Sequence, residues 1–191
     1  KHSQYFIAIK YMTKQVVKMS TLQAADVTIN APEKVTSNTR FSTVECPMIQ
    51  TDELTFNHDN GTIEILCSAE HADKIHQIDD TVCTILSDKS ESWFGQKITY
   101  DQIERMFQPT LQGNKNPRHI LSAETFKAFD SDTNVIDSFP LAGTGVFIIK
   151  LQGVNFEEKV CEAKWSIVQA KECPNPPEPS STPPPPLPLF V

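Results

Sequence analysis

The chain has 191 residues, 17 basic against 24 acidic side chains, a formal charge of -7 and 39% hydrophobic residues. That length buries one core with appendages rather than two full domains, and no run of about 18 apolar residues is present to span a bilayer. The acidity excludes a surface uniformly coated in phosphate-binding cations.

The first eighteen residues carry Lys1, Lys10, Lys14 and Lys18 and no acid. Their apolar run, Tyr5 to Ile9, is too short for a signal peptide, and Met19-Ser20-Thr21-Leu22 reads as a translation start. The expectation is therefore an upstream, disordered basic leader over 1–18, with a phosphate-contacting arm as the alternative. Without those four lysines, 13 basic residues face 24 acidic ones, a net of -11.

Residues 26–30 alternate and predict a short strand, and 40–45 predict another before Pro47. Asp59-Asn60-Gly61 is a turn signal that joins strands over 53–57 and 62–67 into a hairpin. The period then changes. Ile75, Ile78, Val82, Ile85 and Leu86 fall on one helical face and predict a helix over 69–88, with Asp79 and Asp80 on its polar side. Ser92-Trp93-Phe94-Gly95 breaks that pattern. Thr99-Tyr100-Asp101-Gln102 resembles a capping box opening a second helix that turns Ile103, Met106 and Phe107 inward and stops before Pro109.

Strand character returns at 119–121 and 125–129, followed by a polar turn at 130–132. Residues 145–153 form a strong strand. Residues 160–171 alternate most cleanly, with Cys161, Ala163, Trp165 and Ile167 facing one way and Glu162, Lys164 and Ser166 the other. The residues themselves thus give a mainly β (α+β) domain over 19–172, antiparallel, with two helices inserted before its last strands.

Nine of the fourteen prolines lie between Pro174 and Pro188, so 173–191 reads as a separate disordered, proline-rich tail. Consecutive prolines favour extended polyproline II, which docks onto aromatic grooves at small entropic cost. Pro186, Leu187, Pro188, Leu189 and Phe190 are the candidate partner-binding residues of that tail.

Cys46, Cys67, Cys83, Cys161 and Cys173 are odd in number and contain no C-x-x-C pair. They predict reduced, buried thiols, no metal and an intracellular, reducing location in cytoplasm or nucleus. No glycine-rich phosphate loop, G-x-S-x-G or H-E-x-x-H motif is present, so no catalytic residue, cofactor or metal site is expected.

Charge is unevenly spread. Residues 45–91 hold eleven acids against Lys74 and Lys89, a local -9, whereas 97–118 hold Lys97, Arg105, Lys115 and Arg118 against two acids, a local +2. Trp93 and Phe94 neighbour Lys97, and Phe156 and Trp165 flank Lys164. Aromatics beside cations hold single strands by base stacking, although the alternation around Trp165 makes that ring core.

Two separated blocks carry a family resemblance: Trp93-Phe94-Gly95-Gln96-Lys97 with Phe107-Gln108-Pro109-Thr110-Leu111, and Ile149 to Phe156 with Ala163 to Lys171. Over roughly 60–171 the chain resembles the single-stranded DNA-binding-like proteins of nucleocytoplasmic large DNA viruses. The resemblance implies an antiparallel OB-like β-barrel with two inserted helices, and a non-enzymatic protein that coats single-stranded DNA during viral replication or recombination. The binding is expected to be sequence-tolerant. Lys97, Lys115, Arg118, Lys127, Lys150 and Lys164 are then the candidate phosphate contacts, and Trp93, Phe94 and Phe156 the candidate stacking residues. The tail is expected to recruit a replication protein or a proline-reading domain. The alternative is a structural or adaptor protein, a minor virion component whose tail grips a partner.

Overall fold

The computed structural model describes residues 16–174. Lys1, Lys10 and Lys14 of the leader lie outside the described residues, as do Pro186, Leu187, Pro188, Leu189 and Phe190 of the tail.

Five short strands come first: β1 (Val16–Lys18), β2 (Thr28–Ile29), β3 (Glu33–Lys34), β4 (Thr39–Glu45) and β5 (Met48–Gln50). β6 (Leu54–Asp59) and β7 (Thr62–Leu66) follow, then α1 (Ala69–Phe94) and α2 (Tyr100–Met106). Five more short strands, β8 (Phe107–Gln108), β9 (Leu111–Gln112), β10 (Arg118–Ser122), β11 (Lys127–Phe129) and β12 (Val135–Ile136), precede the long β13 (Ala142–Glu157). β14 (Val160–Glu172) closes the described chain.

The β6–β7 hairpin forms where Asn60 and Gly61 supply two consecutive positive φ angles, 45° and 76°, as a tight primed turn requires. β13 and β14 form a second, much longer hairpin across Glu158, whose φ is 50°. Five strands close on themselves in the order β13–β6–β7–β10–β14 and back to β13. Every neighbouring pair is antiparallel except β10–β14, which run parallel. That circuit, with its single parallel closure, is the strand order of an OB-like barrel, and both helices are inserted between β7 and β10.

Closure is made at one register pair only, Ser122 with Ser166. Beyond it β10 and β14 part, and the segment from Phe107 to Gln112 fills the gap: β8 pairs with β14, and β9 pairs with β10. A buried carboxylate holds this wedge. Asp79 of α1 accepts from the Thr110 backbone N–H at 2.9 Å and from the Thr110 hydroxyl at 2.6 Å. Asp79 therefore does not sit on the polar side of its helix; it is 7% exposed. Burial pushes its carboxyl up to about 6.

α1 starts at Ser68, whose hydroxyl accepts from the His71 N–H, and runs six residues past the expected end at Asp88. It continues because nothing before Gly95 breaks it; Gly95 stops it with a left-handed φ of 71°. The second helix opens with the expected capping box between Thr99 and Gln102 but ends at Met106. Phe107 is buried as a strand residue rather than a helical one, because Pro109 disfavours helical geometry at Gln108 and β14 offers a ladder partner there. The strand expected over 26–30 is reduced to Thr28–Ile29, preceded by a 3-10 turn at Ala24–Asp26. Val16–Lys18, expected to precede the domain, instead pair in parallel with Met48–Gln50, and Met19 is buried.

One core runs through barrel and helices, from Met19 to Ala170. Phe56, Ile63, Ile65, Phe147, Ile149 and Leu151 fill the barrel interior at 0–1% exposure. Ile75, Val82 and Leu86 of α1 join the same cluster. Within it lies a polar pair, His71 Nε2 and His119 Nδ1 at 3.2 Å, with Trp165 edge-on to His119. Burial holds both imidazoles well below their ordinary range, His71 down to about 4.

Two predictions follow from this packing. The neutral histidines contribute stability above about pH 6.5 that is lost on acidification towards 4, whereas Asp79 opposes them, favouring the fold at low pH and losing that contribution as pH rises through about 6. Asp79→Asn removes the opposing slope, so its melting temperature should fall more steeply than wild type between pH 6.5 and 4; equal slopes refute the assignment. Gly153 lies against the Phe41 ring and the Ser42 carbonyl, where β4 pairs antiparallel with β13, and leaves no room for a Cβ. Gly153→Ala should cost about 1–3 kcal/mol in urea unfolding.

Candidate nucleic-acid interface

The nine residues named from the sequence divide among separate places on the barrel. Strand alternation sets the first group. On β13 and β14, Ile149, Leu151, Trp165 and Ile167 are buried, so Lys150 and Lys164 point away from the barrel interior. Lys150 stands opposite Ser166, Lys164 opposite Gly153, and Lys127 of β11 opposite Gln169 further along β14. These three lysines share the outer side of one sheet. Lys164 is partly neutralised by an ion pair with Glu162, its neighbour on the same face.

Arg118 lies apart, on the outward side of β10, where its guanidinium reaches Glu64 of β7 at 3.3 Å. Leu66 and Ile120 beside it are 44% and 38% exposed, so this part of the barrel surface is apolar with its charge paired. Lys115 is exposed in the loop between β9 and β10. Lys97 follows the end of α1, with its ammonium 3.4 Å from the Ser87 carbonyl.

The aromatics do meet. Phe94, the last residue of α1, and Phe156, near the end of β13, are 62 positions apart yet pack edge to face with centroids 5.7 Å apart. Trp93 packs edge-on to Phe94 at 6.4 Å. Phe94 and Phe156 are half-buried and line a cleft of about 250 Å³. Its floor is apolar, from Ile98, Ile103, Met106 and Cys161. Its rim is polar and includes Arg40, Asn38, Gln96 and Glu158. Arg40 stands in register opposite Phe156, and Glu158 forms the β13–β14 turn.

Two buried serines place the wall of this cleft. Ser90 accepts from the Ile98 N–H at 2.8 Å and donates to the Ser87 carbonyl, while Ser87 donates to the Ile98 carbonyl at 2.9 Å. The link between α1 and α2 is thereby folded back onto α1, which holds Ile98 in the cleft beside Phe94, itself placed by the last turn of α1. The aromatic cleft lies on the core-facing side of the β13–β14 hairpin and the lysines on its outer side. Arg40 and Glu158 carried no signal in the sequence. Arg40 occurs in an ordinary alternating strand and Glu158 in a short charged turn, and only the pairing of β4 with β13 puts them on one rim.

Residues 53–182 match the family described as "Family of unknown function (DUF5871)", so the match begins at the first barrel strand and spans both helices and the last strand. No curated protein matches the chain. Similar solved structures include the single-stranded DNA-binding protein from bacteriophage Enc34 with a C-terminal truncation, at a TM-score of 0.46 and 10% identity over 81% of this chain and 98% of that one. Another is the Enc34 protein in complex with ssDNA, at a TM-score of 0.46 and 9% identity over 76% and 96%.

The serine pair is open to direct test. Ser90→Ala leaves the buried Ile98 N–H without its acceptor, which should cost about 1–3 kcal/mol and raise hydrogen exchange at Ile98 above that of the α1 interior.

Proposed function

We propose that this chain, which belongs to the DUF5871 family, is a non-enzymatic single-stranded DNA-binding protein. The observation that carries the reading is the meeting of Phe94 and Phe156 in a cleft rimmed by Arg40, beside the β13–β14 turn of an OB-like barrel. In such barrels the loop between the last two strands is one of the ligand-binding elements. Half-buried aromatic rings beside a guanidinium suit unstacked bases, whose faces offer the same π surface whatever their identity.

The lysines extend the site. A strand whose bases enter the cleft crosses the Glu158–Lys159 turn and meets Lys150 and Lys164 on the outer side of the hairpin. Lys127 continues that row, while Trp93, packed on Phe94, and Lys97, next to Gln96 in the chain, lie just outside the residues that line the cleft. Arg118, held by Glu64, and Lys115 are the outlying contacts of this proposal. The net acidity confines binding to these local surfaces. Following the sequence resemblance, the setting proposed is replication or recombination of a large DNA virus inside the host cell. The tail beyond Pro174 is assigned to a protein partner.

Anisotropy of labelled oligo-dT over a salt series tests the reading. Affinity should fall as salt rises, with a log–log slope of about -0.7 per phosphate contact. Phe94→Ala and Phe156→Ala should each weaken binding by about 1–3 kcal/mol at fixed salt. Lys150→Ala should flatten the salt slope by about 0.7. No salt-dependent binding at micromolar protein sinks the proposal and leaves the adaptor reading.

A further inference from the structure

Two opposite charges on the rim of the aromatic cleft leave each other alone. Arg40 of β4 and Glu158 of the β13–β14 turn both line it. Their turns are tied together, since the Glu158 N–H donates to the Asn38 carbonyl at 3.5 Å. Yet among the described residues neither side chain makes an ion pair or a hydrogen bond, although Glu64–Arg118 and Glu162–Lys164 show that such pairs form elsewhere on this barrel. A carboxylate offers two acceptor oxygens and a guanidinium a fork of donors, so the rim presents two complementary bidentate sites above two phenyl rings.

Resting on the single-strand reading above, we propose that this cleft takes one guanine base of the bound strand. Guanine places two acceptors, O6 and N7, side by side for Arg40. It also places two donors, N1–H and the 2-amino group, side by side for Glu158. The other bases break one of these matches. Adenine and cytosine put a ring-nitrogen acceptor next to their amino group, which would face the second carboxylate oxygen. Thymine flanks its only ring N–H with carbonyl oxygens, which the carboxylate repels. The base lies with one face against the Phe94–Phe156 pair, whose rings already touch edge to face, whatever its identity, so the rings supply affinity and the two charges supply choice. The protein then binds strands broadly but seats them with a guanine at one position.

The test compares oligo-dT of about a dozen residues with the same strand carrying one central dG, dA, dC or deoxyinosine, using the full chain at fixed salt. The dG strand should bind about tenfold tighter than oligo-dT, with dA and dC giving no such gain. Deoxyinosine, which lacks the 2-amino group, should lose most of the advantage. Glu158→Gln should abolish preference for dG, whereas Glu124→Gln, in the link between β10 and β11, should keep it. Equal affinity for all the strands overturns the guanine assignment and leaves single-strand binding standing. Failure of every strand to bind overturns both. A dG preference that survives in Glu158→Gln shows that the base is read elsewhere and also overturns the inference.

Discussion

The pairing of β13 organises this molecule. One sixteen-residue strand is hydrogen-bonded along its length to β14 and, on its other side, in turn to β6, β5 and β4. A strand cannot serve a closed barrel at one end and an open outer sheet at the other while staying straight. Its pairing with β14 has two register irregularities: between Ile148 and Ile149 the extra residue is Val168 of β14, and between Leu151 and Gly153 it is Gln152 of β13, where β13 itself bends. Gly153 is needed at the second because the Phe41 ring and the Ser42 backbone pass where a Cβ would stand. These irregularities let the hairpin tip project beyond the barrel, and the projecting tip, with the end of α1 above it, makes the cleft.

Much of the architecture was legible in the sequence because its signals are local. The Asn60-Gly61 turn, the alternation over 160–171 and the capping box at Thr99 each act through neighbouring residues, and each appears where it was read. What stayed hidden depends on contacts across long separations. The two-residue strands β8 and β9 have no periodicity to detect and exist because β10 and β14 part and expose ladder positions. Asp79 looks like any surface acid until Thr110, 31 residues on, supplies two donors to its carboxylate.

The same distinction divides the site. Phe94 and Phe156 were identifiable as aromatics beside cations, but their meeting depends on the packing of the end of α1 against the β13–β14 hairpin, 62 positions away in the chain. Lys127, Lys150 and Lys164 were identifiable as cations, and strand alternation then sends them to the side of the hairpin away from the rings. Composition could not reveal that segregation. It also explains how an acidic protein keeps cations for a ligand: three lysines share one sheet face, while much of the acidic excess lies over 45–91, on other elements.

The β13–β14 hairpin also gives the molecule two poles. Its turn borders the cleft, whereas the far end of β14 is fastened by the Cys173 N–H to the Thr144 carbonyl, and the described chain departs from there. Thirteen residues at about 3.3 Å each give β14 a contour length of roughly 40 Å between the poles, shortened by its twist and the bulge at Val168. The strand thus acts as a spacer: a load attached just past Pro174 starts a full strand length from anything seated at the cleft, so the two need not contend for the same surface.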